Sequence, residues 1–175
     1  MTGLRVGVLG AARIAPQAII KPAAGSPDAT VVAVAARDRG KAEAFAKKHQ
    51  IPHVHSSYAA LLADPEIDAV YNPLPNGLHG EWTIAALEAG KHVLCEKPFT
   101  ANAAEAREVK AVADAHPDLV VMEAFHYRYH PFAERLREIV ASGELGTVER
   151  VETAMCFPLI HRNDIRWDFA LAGGA

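Results

Sequence analysis

Short apolar, β-branched runs alternate with Ala-rich stretches of helix-forming residues along most of this chain, and that alternation restricts it to few folds. The runs are Leu4 to Leu9, Thr30 to Ala35, Ala69 to Tyr71, His92 to Cys95 and Leu119 to Met122. They are almost continuously apolar, as a strand covered on both faces requires. A central parallel sheet with helices on both faces follows, an α/β architecture of the doubly wound type. The crossovers are Lys41 to Lys48, Glu81 to Ala89 and Asn102 to His116, rich in Ala, Glu, Lys and Leu. Asn102 followed by Glu105 has the form of a capping box, and Ala106, Val109 and Ala113 supply an apolar stripe. His116-Pro117 ends that helix, and Gly90 closes the one before it through a left-handed residue.

The pattern changes after Met122. Glu123 to Pro131 is aromatic and rich in His, Phe132 to Val140 reads as helix, and Thr147 to Phe157 reads as a long alternating strand. Residues 1–122 are therefore expected to form one domain and residues 123–175 the opening of an α+β second one. The polar, irregular residues after Phe157 and the final Ala172-Gly173-Gly174-Ala175 read as a domain left incomplete. A first strand without its sheet would expose an edge prone to association.

The composition is that of an ordinary soluble chain: half of the 175 residues are hydrophobic and the net charge is -3, without acidic or basic blocks. No stretch approaches the roughly 20 apolar residues of a membrane span, and the chain starts directly into its first strand without a signal-like segment. A cytoplasmic protein with no membrane and no nucleic-acid partner is expected. The two cysteines, Cys95 and Cys156, lie far apart in apolar strands and read as buried, inert thiols. His53 and His55 share one strand face and His126 and His130 are four apart, but no further ligand stands at a metal-type spacing, so no metal is expected. Tyr127, Tyr129 and Phe132 read as packing at the domain junction.

Four segments carry chemistry. Gly7-Val8-Leu9-Gly10-Ala11-Ala12-Arg13-Ile14-Ala15 stands where the first strand turns into the first helix, the place where a doubly wound sheet binds a pyrophosphate. There Gly10 permits the tight turn, Ala12 lets the backbone approach phosphate, and Ala15 lets the helix pack on the strand. As a degenerate Gly-x-Ala-x-x-Ala it also fits a tight turn without a ligand. After the second strand comes Ala36-Arg37-Asp38. No carboxylate occupies the position of Ala36, and Arg37 can hold a 2′-phosphate or stack on adenine, which favours NADP; Asp38 keeps NAD open, and both side chains could simply solvate a turn. Pro73-Leu74-Pro75-Asn76-Gly77-Leu78-His79 follows the third of these runs at the same sheet edge, with Asn76 and His79 either beside a nicotinamide or, for His79, at a helix start. Glu96-Lys97-Pro98 follows the fourth. Lys97 there points into the cleft and its ammonium can hydrogen-bond a substrate hydroxyl during hydride transfer, with Pro98 a candidate for a cis peptide that aims it. The other reading is a surface Lys-Glu pair before a proline turn.

Together, Gly10-Ala11-Ala12-Arg13-Ile14-Ala15, Leu74-Pro75-Asn76-Gly77-Leu78-His79 and Glu96-Lys97-Pro98 resemble the Gfo/Idh/MocA oxidoreductases in order and spacing. Met122-Glu123-Ala124-Phe125, Tyr127-Arg128-Tyr129-His130-Pro131 and Asn163-Asp164-Ile165-Arg166-Trp167-Asp168 resemble the branch with dimeric dihydrodiol dehydrogenase, xylose dehydrogenase and glucose-fructose oxidoreductase. The resemblance implies a Rossmann domain followed by the start of a substrate domain, NADP or NAD as cofactor, and a sugar or cyclic diol as substrate. It implies a catalytic role for Lys97 and a cofactor site lined by Gly10, Ala12, Arg13, Ile14, Arg37, Leu74, Asn76, His79, Glu96, Lys97, Arg166 and Trp167. His126 stands where the branch more often has Met. Members of the family continue past the Gly-Gly segment into a helix bearing an Asp and a Tyr or His, then a sheet that forms the substrate pocket and dimer interface, so a homo-oligomer is implied for a full-length form. Two functions remain open from the sequence: an NAD(P)-dependent dehydrogenase, or a truncated, non-catalytic dinucleotide-binding module or sensor.

Overall fold

The computed structural model describes residues 3–156, 158 and 164–173. Six strands, β1 (Leu4–Leu9), β2 (Ala29–Ala35), β3 (His53–His55), β4 (Ala69–Asn72), β5 (His92–Cys95) and β6 (Val121–Glu123), form one sheet in the order β3-β2-β1-β4-β5-β6. Every pairing is parallel. This is the doubly wound arrangement expected from the apolar runs, with β3 on the edge beside β2. A π-helical turn, Pro16–Ile20, runs into α1 (Lys21–Ala24). The later helices are α2 (Arg39–His49), α3 (Tyr58–Leu62), α4 (His79–Glu88), α5 (Ala103–Ala115) and α6 (Pro131–Ser142).

Side chains start the helices where the sequence places polar caps. Asp38 accepts from the Lys41 amide, Ser57 from that of Ala60, and Asn102 from those of Ala104 and Glu105. Glu105 reaches one residue further back than a capping box requires and accepts from the Ala101 amide at 2.6 Å. His116 ends α5, and Gly90 has φ +74°, as its place after α4 requires.

The core is two apolar layers on the faces of the sheet. Leu9, Val70 and Val93 meet Leu61, Ile67 and Leu87 on one face, while Val6, Val8, Val34 and Tyr71 meet Ala46 and Ile51 on the other. The first layer is tight where Leu61 meets β1: a Cβ on Gly7 would stand 2.7 Å from Leu61 Cδ2, so a side chain there would make Leu61 shift.

Three expectations for residues after β6 are not met. Residues 147–156 contain no strand, and Phe157 lies outside the described residues. A strand needs a neighbour for its N–H and C=O rows, and none of the described elements pairs with this segment. Cys156 is accordingly exposed, whereas Cys95 is buried. Tyr127 and Tyr129, on the turn before α6, and Phe132, in its first turn, are 55%, 61% and 66% exposed, since no described element buries them.

At the opposite end of β1, Arg5 holds the start of β4. Its Nε and Nη2 donate to Asp68 at 3.0 and 2.8 Å, its amide donates to Asp68 Oδ2, and the Asp68 amide returns a bond to the Arg5 carbonyl. The Arg5 hydrogen bonds hold the Asp68 carboxyl down to about 2 from its ordinary 3.8. A depressed folded value stabilises the fold above the ordinary value, and that contribution is lost as pH falls from there through about 2. Both side chains are about one-third exposed, so the contribution is small. Arg5→Gln is expected to lower the urea midpoint at neutral pH, with the gap to the parent closing below pH 3.8. Leu61→Ala, at a fully buried site, is expected to cost about 2–5 kcal/mol in the same measurement with the denaturant slope unchanged.

Candidate active site

The strand order reverses between β1 and β4, so the loops leaving their carboxyl ends part and open a crevice. Gly10 follows β1 with φ +92°, and its amide donates to the Ala35 carbonyl at 2.6 Å, which ties the ends of β1 and β2. A Cβ there would stand 3.1 Å from Leu74 Cδ2 in the loop after β4. Glycine is thus required for the turn and for the approach of the two loops. The amides of Ala11, Ala12, Arg13 and Ile14 find no backbone acceptor among the described residues, and Ala15 is buried against the sheet. A cradle that excludes a side chain and presents amides ahead of a helix fits a dinucleotide pyrophosphate.

Arg37 stands exposed after β2. Asp38 beside it is engaged as the cap of α2, its Oδ1 accepting from the Lys41 amide at 3.0 Å. Tyr58, not anticipated from the sequence, sits between the Gly10 turn and Arg37. Its hydroxyl lies 4.0 Å from where a Gly10 Cβ would stand, and its ring meets Trp82 edge-on at 4.9 Å. Burial pushes its hydroxyl pKa up, partly offset by a hydrogen bond from the Arg37 backbone. The signal available in the sequence was Ser57, a cap for a short helix.

The loop after β4 is shaped by Asn72, which is fully buried. Its Nδ2 donates to the His79 carbonyl at 3.2 Å and to Thr83 Oγ1 at 3.3 Å, and its Oδ1 accepts from the Leu74 amide at 3.4 Å. An amide ending an otherwise apolar strand was the sequence signal for it. Residues 164–173 return to this loop, so the boundary expected near residue 123 is crossed by contacts. Asn76 Nδ2 donates to the Ala172 carbonyl at 3.4 Å, and a Cβ on Gly77 would stand 3.1 Å from the Leu171 backbone. Asp164, nearly buried, gathers two of the expected cofactor residues. Arg166 donates to it through Nε at 2.8 Å and Nη2 at 2.9 Å, while Arg13 Nη2 stands 3.8 Å away. Arg166, and then Arg13, hold the Asp164 carboxyl well below the usual carboxylate range. Trp167 follows on the same 3-10 turn and is half-exposed. Asn163 lies outside the described residues.

Beyond β5 the chain makes a cis peptide between Lys97 and Pro98. Lys97 is exposed and lines a cleft of about 540 Å³ with Ile14, Glu96, Glu123, Phe125 and His126. The Tyr71 hydroxyl donates to Glu96 Oε1 at 2.7 Å, and the Lys97 amide donates to Glu96 Oε2 at 3.2 Å. Burial, reinforced by the carboxylate of Glu96, pushes the Tyr71 hydroxyl far above its ordinary pKa. The Cys95 thiol is likewise pushed up, chiefly by burial, to about 12, so it is no nucleophile.

His79 opens α4, the helix-start position the sequence left open for it, and is 1% exposed. Its Nδ1 is 2.7 Å from the Pro98 carbonyl oxygen and its Nε2 is 2.7 Å from that of Leu74, so both ring nitrogens are engaged by backbone. Glu123, to which the sequence assigned no role, accepts from the Phe99 amide at 2.8 Å. Among the described residues no group of three or more His, Cys, Asp or Glu is placed to hold a metal ion. Nor is any described helix long and apolar enough to cross a membrane.

Comparison with known proteins agrees with this geometry. Residues 4–124 match the Gfo/Idh/MocA profile, described as the oxidoreductase family with an NAD-binding Rossmann fold. The chain is 48% identical over 172 residues to D-xylose 1-dehydrogenase (NADP(+)) 2 of Haloferax volcanii, covering 97% of this chain and 51% of that protein. It is 44% identical over 146 residues to trans-1,2-dihydrobenzene-1,2-diol dehydrogenase of Bos taurus, covering 82% and 42%. Among solved structures, the 3-ketoreductase KijD10 of Actinomadura kijaniata, in complex with NADP and TDP-benzene, superposes with a TM-score of 0.73 at 37% identity, covering 81% of this chain and 43% of that one. The chain spans about half the length of the curated relatives it matches. With its reversed strand order, its glycine cradle and its lysine turn at one sheet edge, the chain belongs to the Gfo/Idh/MocA family of NAD-binding, Rossmann-fold oxidoreductases.

Proposed function

We propose that these residues form the cofactor site and the catalytic lysine of an NADP-dependent oxidoreductase acting on a sugar or cyclic diol, at the level of one hydroxyl or carbonyl group. The observation that carries this reading is the position of Lys97. It heads a turn tied to its neighbours, in a cleft that also contains Ile14 of the phosphate turn. The relatives named xylose and dihydrodiol dehydrogenases support the substrate class.

Gly10, Ala12, Arg13 and Ile14 present the turn that would hold the pyrophosphate, with Leu74 and Asn76 on the facing loop and Arg166 and Trp167 above Arg13. Arg37 would meet the 2′-phosphate. Asp38 already caps α2 and Ala36 offers no carboxylate, so this turn suits NADP better than NAD. Glu96 and Lys97 would lie beside the nicotinamide, which supplies a hydride acceptor or donor at its C4 when bound. In oxidation, the Lys97 ammonium would hydrogen-bond the substrate oxygen and stabilise the negative charge there while a separate basic group takes the hydroxyl proton and hydride passes from carbon to the nicotinamide. In reduction it polarises the carbonyl and its proton supports the forming hydroxyl. Phe125, His126 and Tyr129 line the same cleft and stand where a substrate ring would rest.

In the protein at its full natural length, Lys97→Met is expected to lower kcat at least about 100-fold while NADPH fluorescence titration gives the parent Kd. Turnover at the parent rate would overturn the catalytic assignment of Lys97, whereas saturable NADPH binding by a parent protein without turnover would favour a dinucleotide-binding module. Arg37→Ser is expected to raise the NADPH Kd about 10- to 100-fold and leave that of NADH unchanged, since it removes a charge-assisted bond to the extra phosphate alone. Equal weakening of both would show that Arg37 serves adenine and not the 2′-phosphate.

A further inference from the structure

The turn that carries Lys97 has no regular backbone partner on its far side, and side chains supply the partners instead. The Pro98 carbonyl contacts His79 Nδ1 at 2.7 Å, and the Phe99 amide donates to Glu123 Oε1 at 2.8 Å. Both atoms lie within two residues of the lysine, and both partners come from outside β5: His79 opens α4 and Glu123 ends β6. His79 is buried, and its second nitrogen contacts the Leu74 carbonyl at 2.7 Å. One imidazole therefore spans the loop after β4 and the turn after β5, the two segments that border the crevice. Asn72 fixes the base of this strut, since it donates to the His79 carbonyl and accepts from the Leu74 amide.

We propose that His79 and Glu123 are positioning residues for Lys97. They hold the backbone just past the lysine so that its ammonium reaches the reacting oxygen, and His79 links that aim to the loop on which the dinucleotide would dock. The proposal rests on the reading of Lys97 given above. Neither residue touches the reacting atoms in this role. Glu123 acts through an oxygen that accepts a hydrogen bond, not through its charge, so Gln can replace it and an apolar side chain cannot.

The variants that decide this are Glu123→Gln, Glu123→Met and His79→Phe. In the protein at full natural length, Glu123→Met is expected to lower kcat about 100-fold, the scale of a misplaced catalytic group, with KM and the NADPH Kd unchanged, and His79→Phe is expected to lower kcat by a similar factor and also to raise the NADPH Kd, since it releases the Leu74 carbonyl on the docking loop. Glu123→Gln is expected to restore parent kcat. A merely structural role would lower the melting temperature without this split between kcat and KM and without rescue by Gln. A second readout needs no turnover: acylation of Lys97 by an amine reagent, followed by mass spectrometry with and without saturating NADP. Cofactor is expected to protect Lys97 in the parent and in Glu123→Gln, and to protect it poorly in Glu123→Met and His79→Phe although NADPH still binds. Parent kcat and parent protection in Glu123→Met would overturn the proposal, as would equal loss in Glu123→Gln and Glu123→Met, which would make the charge the active feature. Should His79→Phe fail to fold, the Glu123 pair decides alone. If Lys97→Met itself retains turnover, the catalytic reading of Lys97 falls, while the protection measurement still shows whether the two struts aim that side chain.

Discussion

The parallel pairing of β1 with β4 is the constraint on which the site depends. Val6 to Val8 lie beside Ala69 to Tyr71, and from this pair the chain builds outward in opposite directions, to β2 and β3 on one side and to β5 and β6 on the other. The loops at the carboxyl ends of β1 and β4 therefore separate, and the space between them is where a ligand can enter. Register matters at both ends of this pair. At the amino end, the Arg5-Asp68 bonds pin it; at the carboxyl end, Gly10 turns with φ +92° against the Leu74 side chain. A slip of one residue would turn every apolar side chain of β1 to the wrong face, so packing and site geometry are secured together.

Much of this was legible in the amino-acid sequence because it is encoded locally. Continuous apolar runs named five of the six strands, and polar caps at Asp38, Ser57 and Asn102 stand where helices start. The glycine after β1 reported a tight turn, and Gly10 takes φ +92° there. Lys97 and Ile14 line one cleft, and Arg166 and Arg13 both approach Asp164, a carboxylate to which the sequence reading gave no role.

What escaped the sequence reading depends on partners distant along the chain. Residues 147–156 have the alternation of a strand, but alternation only specifies which face would be buried; it supplies no neighbour to pair with. Tyr127, Tyr129 and Phe132 have the chemistry of a packed junction and lie open for the same reason. His79 could be read either beside a nicotinamide or at a helix start, and it does open α4; its contact with the Pro98 carbonyl, 19 residues away, is one that no local pattern reports.

The two sides of the cleft thus rest on different physics. On the side of the Gly10 turn, the crevice presents backbone amides and a glycine with positive φ, features that lie close together in the sequence. On the lysine side, the turn after β5 is held by Tyr71 through Glu96, by His79 and by Glu123, over separations of 25, 19 and 24 residues. Those bonds form only when β4, β5, β6 and α4 are in place. The Gly10 turn is tied to its neighbour through the Ala35 carbonyl at the end of β2, whereas the turn of Lys97 draws its bonds from β4, β6 and the start of α4. A substitution that loosens β6 or the start of α4 acts on the lysine first and on the phosphate turn last.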